Sequence, residues 1–210
     1  MKLAVLISGS GSNLQAFVDA SQAGRLKAEI ALVVSNKADA YGLVRAAEAG
    51  IATAAIDHTA YANREDFDQA LVDTLRPHGV DLVILAGFMR ILTPVFITAF
   101  SGRLLNIHPS LLPKYPGLHT HQRAIEAGDK QAGATVHFVT EQLDGGPPIL
   151  QAQVPVLEGD TPEVLAARVL VQEHRIYPLA AQWFAEGRLA LTEAGAELDG
   201  QLLPESGMAG

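Results

Sequence analysis

No cysteine occurs among the 210 residues. Disulfides, thiol catalysis and Cys-ligated zinc are therefore excluded, and a reducing compartment fits. No apolar run approaches the ~20 residues of a membrane-spanning helix. The first apolar run, residues 3–7, is too short for a signal-peptide core and passes straight into a glycine loop. Basic charge is scarce, with 15 Lys and Arg against 23 Asp and Glu and a formal net charge of -8. That balance argues against nucleic acid or an anionic membrane as the main partner, because a phosphate backbone needs a basic face. A local anion site stays open, since backbone amides build one without net charge. Internal repeats and linker-like stretches are also absent. The expectation is a single cytoplasmic domain over residues 1–200, with a loose C-terminal tail over residues 201–210.

What is present is an alternation of short apolar strands and amphipathic helices. Strand-like runs at residues 2–7, 29–34, 51–56, 81–86 and 104–107 alternate with helical periodicity, first in Leu14, Phe17 and Val18 and then at residues 41–49, 63–75 and 94–100. Strands are then expected at 135–140 and 148–155, paired as an antiparallel hairpin. The run Asp160-Thr161-Pro162-Glu163 is a helix start, with a cap, proline at N1 and an acid in the first turn. The helix after it is expected to turn Leu165, Val169, Ile176, Leu179 and Trp183 inward. Residues 188–191 read as a last edge strand. The fold class is α/β, a doubly wound, mostly parallel sheet with a late antiparallel hairpin.

Two stretches carry chemistry. The first strand ends in Ser8-Gly9-Ser10-Gly11-Ser12-Asn13 and a helix follows. Small residues let backbone N–H groups approach an anion, and the helix N-terminus adds its dipole. The third glycine of a dinucleotide fingerprint and the lysine of a Walker motif are both missing. A phosphate site and a plain strand–helix turn with a Ser or Asn cap both remain open. The second stretch is Leu104-Leu105-Asn106-Ile107-His108-Pro109. Pro109 stops the strand, so Asn106 and His108 leave its carboxyl end on one face. Such donors suit a developing oxyanion. Asp144, in Leu143-Asp144-Gly145-Gly146-Pro147, is the best candidate for a carboxylate beside the imidazole. His119 and His121 lack an evident third ligand, so no metal is expected. Arg64, in the first turn of its helix, is an unfavourable cation on dipole grounds. It reads either as reaching a ligand carboxylate or as solvated surface, and Glu173 reads as a solvated acid. Residues 88–92, Phe-Met-Arg-Ile-Leu, are apolar for a post-strand loop and line a pocket or cap the core.

Taken together, Ser8 to Asn13, Ser35-Asn36-Lys37-Ala38-Asp39, Ala86 to Leu92, Asn106 to Pro113, His137-Phe138-Val139 and Leu143 to Gly146 resemble the phosphoribosylglycinamide formyltransferases, a folate-dependent family of purine biosynthesis. The resemblance implies a Rossmann-like formyltransferase fold and 10-formyltetrahydrofolate as cosubstrate, without a metal. It implies a catalytic trio of Asn106, His108 and Asp144. Gly11, Ser12 and Asn13 would hold the ribotide phosphate, and Glu173 the glycinamide portion. Arg64, Met89, Arg90, Ile91, Leu92 and Asn106, with Thr140, Glu141, Gln142, Leu143 and Asp144, would contact the folate. The partners implied are these two small molecules, with the protein a monomer or homodimer. A 10-formyltetrahydrofolate hydrolase and a non-catalytic nucleotide-binding module are the competing readings. The hydrolase would carry an additional N-terminal domain, whereas this sequence starts at its first strand.

Overall fold

Residues Leu3 to Ile7 are all buried in β1 (Lys2–Ile7), and each contributes about 1.5–3 kcal/mol on leaving water if it is a large aliphatic. The strand is apolar throughout, as expected of one covered on both faces. The computed structural model describes residues 1–210, which divide into two units, 1–105 and 106–210.

In the first unit β1 lies between two parallel neighbours, β2 (Glu29–Ser35) on one side and a later strand, Leu82–Leu85, on the other. The intervening β3 (Thr53–Ala55) pairs outside β2, which makes Leu82–Leu85 β4 and the order β3-β2-β1-β4. The chain thus reverses its direction of winding at β1. In such sheets the crevice beyond the carboxyl ends of the strands at the reversal is the usual ligand position. Four helices connect the strands: α1 (Ser12–Gln22), α2 (Tyr41–Glu48), α3 (Arg64–Leu75) and α4 (Pro94–Ala99). Asn63 caps α3 by accepting the Asp66 N–H at 2.8 Å, and Phe67, Leu71 and Leu75 form its buried stripe. The third strand is shorter than the apolar run at 51–56 suggests.

The division between the units falls within β5 (Leu104–His108). In the second unit α5 (Thr120–Glu126) precedes β6 (Gln131–Phe138) and β7 (Pro148–Pro155). The last two form the expected antiparallel hairpin, with a register shift between Val136 and His137. The first strand of the hairpin begins at Gln131, four residues before the expected start, because Gly133 and Ala134 pair with β7 despite their weak strand propensity. The long helix α6 (Pro162–Ala185) starts as expected, with Thr161 accepting the Val164 N–H. It buries Leu165, Val169, Ile176 and Tyr177, but Leu179 is exposed and Trp183 half-buried. Tyr177, Pro178, Ala180 and Ala181 take the inward positions instead, flanking Leu179 on both sides.

The end of the chain departs from expectation. In place of one edge strand there is a separate antiparallel sheet of β8 (Leu189–Thr192), β9 (Gly195–Leu198) and β10 (Gln201–Leu202). The last ten residues are not a loose tail. After β10, β11 (Met208–Ala209) adds to β7 in parallel, opposite Leu150 and Gln151, and Gly210 N–H donates to the Gln151 carbonyl at 2.7 Å. Two-residue strands leave no periodicity to read, so composition alone misreads them as coil. The mostly parallel sheet flanked by helices is otherwise as the sequence implies. No helix is long and apolar enough to cross a membrane.

Candidate active site

The glycine loop of the first unit is shaped by sterics. Gly11 has φ 74° and stands at the N-cap of α1, where no side chain caps the first turn. The expected alternative, a Ser or Asn cap, is therefore not what the loop forms. A Cβ at Gly11 would also lie 2.7 Å from Gly42 Cα on α2, so glycine is required for space as well as for conformation. Arg45, also on α2, donates from Nε to the Ser10 carbonyl at 2.7 Å. The loop borders a cavity of about 360 Å³ that Ser8 to Asn13, Lys37, Gly87 and Met89 help to line. Lys37 is the only charged side chain in that lining. Uncapped helix amides beside one lysine suit a small anion, phosphate above all. Sequence reading missed Lys37 as a site residue, although the polar run 35–40 is visible; only the fold brings that run to the glycine loop.

On the same unit, the loop after β4 turns Met89 and Ile91 outward, 63% and 58% exposed, and sends Leu92 into the core. Arg90 is half-buried. Arg64 reaches this loop, its Nη2 donating to the Ile91 carbonyl at 2.9 Å, and so it is not simply solvated surface.

The second unit gathers titratable side chains. Asn106 and His108 leave β5 two residues apart. His108 Nε2 lies 2.7 Å from the Tyr115 carbonyl, which can only accept, so Nε2 carries a proton there. Its Nδ1 faces Asp144 Oδ1 at 3.6 Å, and both side chains are more than nine-tenths buried. That separation is an ion-pair contact, longer than a hydrogen bond. The other oxygen of Asp144, Oδ2, accepts the Gly117 N–H at 2.9 Å. Asp144 itself sits at φ 50°, a left-handed conformation that Asp tolerates better than most residues. Two residues on, a Cβ at Gly146 would run into the Phe138 carbonyl, so the Gly-Gly pair lets the hairpin close behind Asp144.

A second histidine attends the same carboxylate. His137 follows the register shift in β6 and donates from Nδ1 to its neighbour's carbonyl, Phe138, at 2.9 Å. Its Nε2 is buried without a hydrogen bond, 3.9 Å from Asp144 Oδ1. Burial pushes the His137 pKa down, against smaller opposing effects from Phe138 and Asp144. Burial thus favours the neutral ring, whose Nε2 is turned toward Asp144. In the sequence His137 stands out only within the run His137-Phe138-Val139, and nothing there placed it beside Asp144. Burial likewise pushes His121 down, and no group of three or more His, Asp or Glu side chains is placed to hold a metal ion. Glu173, read as a solvated acid from its position near the apolar stripe, is buried on α6 at 7% exposure. Thr140 is half-buried and Glu141, Gln142 and Leu143 are exposed, a surface loop leading into the buried carboxylate.

A mostly parallel sheet carrying an anion-ready glycine loop, and a strand end with Asn, His and a facing Asp, define a class. The formyl transferase family model matches residues 1–181, and the chain belongs to that family. Within it, the chain is 56% identical over 209 residues to the phosphoribosylglycinamide formyltransferase of Escherichia coli (strain K12), covering 100% of this chain and 99% of that one. It is 55% identical over 208 residues to the enzyme of the same name from Haemophilus influenzae, covering 99% and 98%. Among solved structures, the phosphoribosylglycinamide formyltransferase of Coxiella burnetii in complex with CHES superposes with a TM-score of 0.96 at 50% identity, covering 100% of this chain and 98% of that one.

Proposed function

We propose that this chain transfers the formyl group of 10-formyltetrahydrofolate to the amine of glycinamide ribonucleotide, giving formylglycinamide ribonucleotide and tetrahydrofolate in purine biosynthesis. The observation that carries the reading is the buried His108–Asp144 pair at the end of β5, 3.6 Å apart, in a chain 56% identical over its full length to an enzyme of that name.

The neutral amine attacks the formyl carbon and a tetrahedral oxyanion forms. Asn106 and the His108 ring supply donors to it. Asp144 faces His108 and stabilises positive charge on that ring. It also helps to relay the proton lost by the amine to the folate nitrogen that leaves, directly or through water. No covalent enzyme intermediate is required. Gly11, Ser12 and Asn13 hold the ribotide phosphate, which the uncapped α1 terminus supports, and Glu173 contacts the glycinamide portion. The folate is held by Arg64, Met89, Arg90, Ile91, Leu92 and Asn106 and by residues 140–144. The chain acts as one formyltransferase domain, residues 201–210 included because β10 and β11 pair with β9 and β7, in the cytoplasm, as a monomer or homodimer.

The test is a formyl-transfer assay with 10-formyltetrahydrofolate, with and without glycinamide ribonucleotide. The expected result is tetrahydrofolate and formylated ribotide only when the ribotide is present. Formate released at the same rate without ribotide would make the protein a hydrolase. Binding of both ligands without turnover would leave a binding module.

A further inference from the structure

The loop from β4 to α4 exposes two large apolar side chains, Met89 and Ile91, yet its backbone is tied down along its length. Near its start the Met89 N–H donates to Ser8 Oγ at 2.8 Å. The Ser8 hydroxyl in turn donates to Asn36 Oδ1 at 2.5 Å, and Asn36 Nδ2 reaches His58 Nδ1 at 3.2 Å. In the middle the Ile91 carbonyl accepts from Arg64. At its end Thr93 gives both of its donors, the backbone N–H at 2.6 Å and Oγ1 at 2.7 Å, to one oxygen of Asp68.

Asp68 is the unusual member. It is 1% exposed on α3, and burial pushes its pKa up, against the smaller effects of Thr93 and Arg64. A carboxylate so placed is expensive to desolvate, and an apolar residue would pack there at lower cost. What the carboxylate supplies is direction. Two donors from one residue fix the backbone at the point where the loop becomes α4. Thr93 stands at the N-cap of α4 without capping it, its hydroxyl being committed to Asp68 instead. A free apolar loop would fold Met89 and Ile91 down onto the core; a loop anchored at Met89, Ile91 and Thr93 holds them outward as a preformed surface. Preformed contact surfaces lower the ordering cost of binding.

We infer that Asp68 and Thr93 are positioning residues, which touch no substrate themselves but hold the 87–93 loop in the shape that receives the flat apolar part of the formyl donor. The inference rests on the formyl-transfer reading above and concerns the affinity for one of its two substrates. Three variants of the full chain test it. Thr93→Val removes the hydroxyl donor at nearly constant volume and should raise KM for 10-formyltetrahydrofolate about tenfold, the loss expected of a hydrogen bond to a charged group. KM for the ribotide and kcat should stay within about twofold. Thr93→Ser keeps both donors and should restore the wild-type KM. Asp68→Ala removes both bonds and should shift KM further where the protein folds; Thr93→Val decides the matter where it does not. A fall in Tm without a change in the folate KM would make the pair merely structural and overturn the inference, as would an equal rise in KM for both substrates. The wild-type protein separates the two levels. If it fails to transfer formyl to the ribotide, the functional reading fails first and the inference with it. If it transfers normally and Thr93→Val matches it, only the inference fails.

Discussion

The two units approach chemistry in opposite ways. The glycine loop of the first unit offers backbone amides, small side chains and a single lysine around its cavity. The end of β5 in the second unit offers buried side chains, with His108 and His137 both turned toward Asp144. Backbone groups bind charge without changing their own protonation, which suits holding a phosphate unchanged through a reaction. Imidazoles and carboxylates exchange protons, which suits the atoms where bonds form and break. The difference teaches that damage to the glycine loop should appear in ribotide binding and damage at the end of β5 in turnover.

The sharpest way to break that division is at β5. His108→Ala or Asn106→Ala should lower kcat by about 10²–10³-fold, the scale of losing an oxyanion donor, while ribotide affinity measured by titration stays unchanged. Equal loss of ribotide affinity would make both residues scaffold. The converse experiment is Gly11→Ala. It forces a Cβ toward Gly42 in a left-handed conformation that costs about 1–2 kcal/mol. Ribotide affinity should weaken by about tenfold or more, with kcat at saturating ribotide little changed. A large loss of kcat here would erase the contrast.

Smaller effects concern stability and pH. His137 is held neutral in the folded protein, its pKa below the ordinary 6.5. The unfolded chain therefore takes up a proton first as pH falls below 6.5. Stability is intact above that value and is lost progressively as pH drops toward the folded pKa. His121, also pushed down by burial, contributes with the same sign. Thermal melts between pH 7.5 and 5 should show Tm falling with acidity, and His137→Phe should flatten the fall. An unchanged slope would mean that His137 is not the residue responsible. The least effect is expected at Asp160, whose pKa is lowered to about 2, chiefly by hydrogen bonds from Arg168. This pair contributes stability present above about pH 3.8 and lost as pH falls through about 2. Arg168→Met should lower Tm slightly at pH 5 and not at all near pH 2.

Much of this was legible in the residues. Continuous apolar strands, the capped start of α3, Thr161-Pro162 before α6 and the halt at Pro109 all rest on local rules, and the structure follows them. So does the pairing of His108 with Asp144, because a strand end and a glycine-rich turn advertise themselves in sequence. What was not legible depends on distance in the chain. Lys37 joins the cavity lined by Ser8 and Met89 only through parallel strands, and Asp68 meets Thr93 across 25 positions. Glu173 and Asp68 both look like ordinary surface acids on helices; their burial is decided by what packs over them. Leu179 shows the reverse error, an apolar residue on the helical stripe that faces out because Tyr177, Ala180 and Ala181 fill the inner side.

The final strand has a practical consequence. By adding to the outer side of β7, β11 occupies ladder groups of Leu150 and Gln151 that would otherwise be offered to any extended peptide passing by. Clipping the last few residues is therefore not a cosmetic trim but the unlocking of an adhesive edge. A purification tag fused after Gly210 begins its path beside that edge, where a strand-forming linker would compete with β11 for its seat.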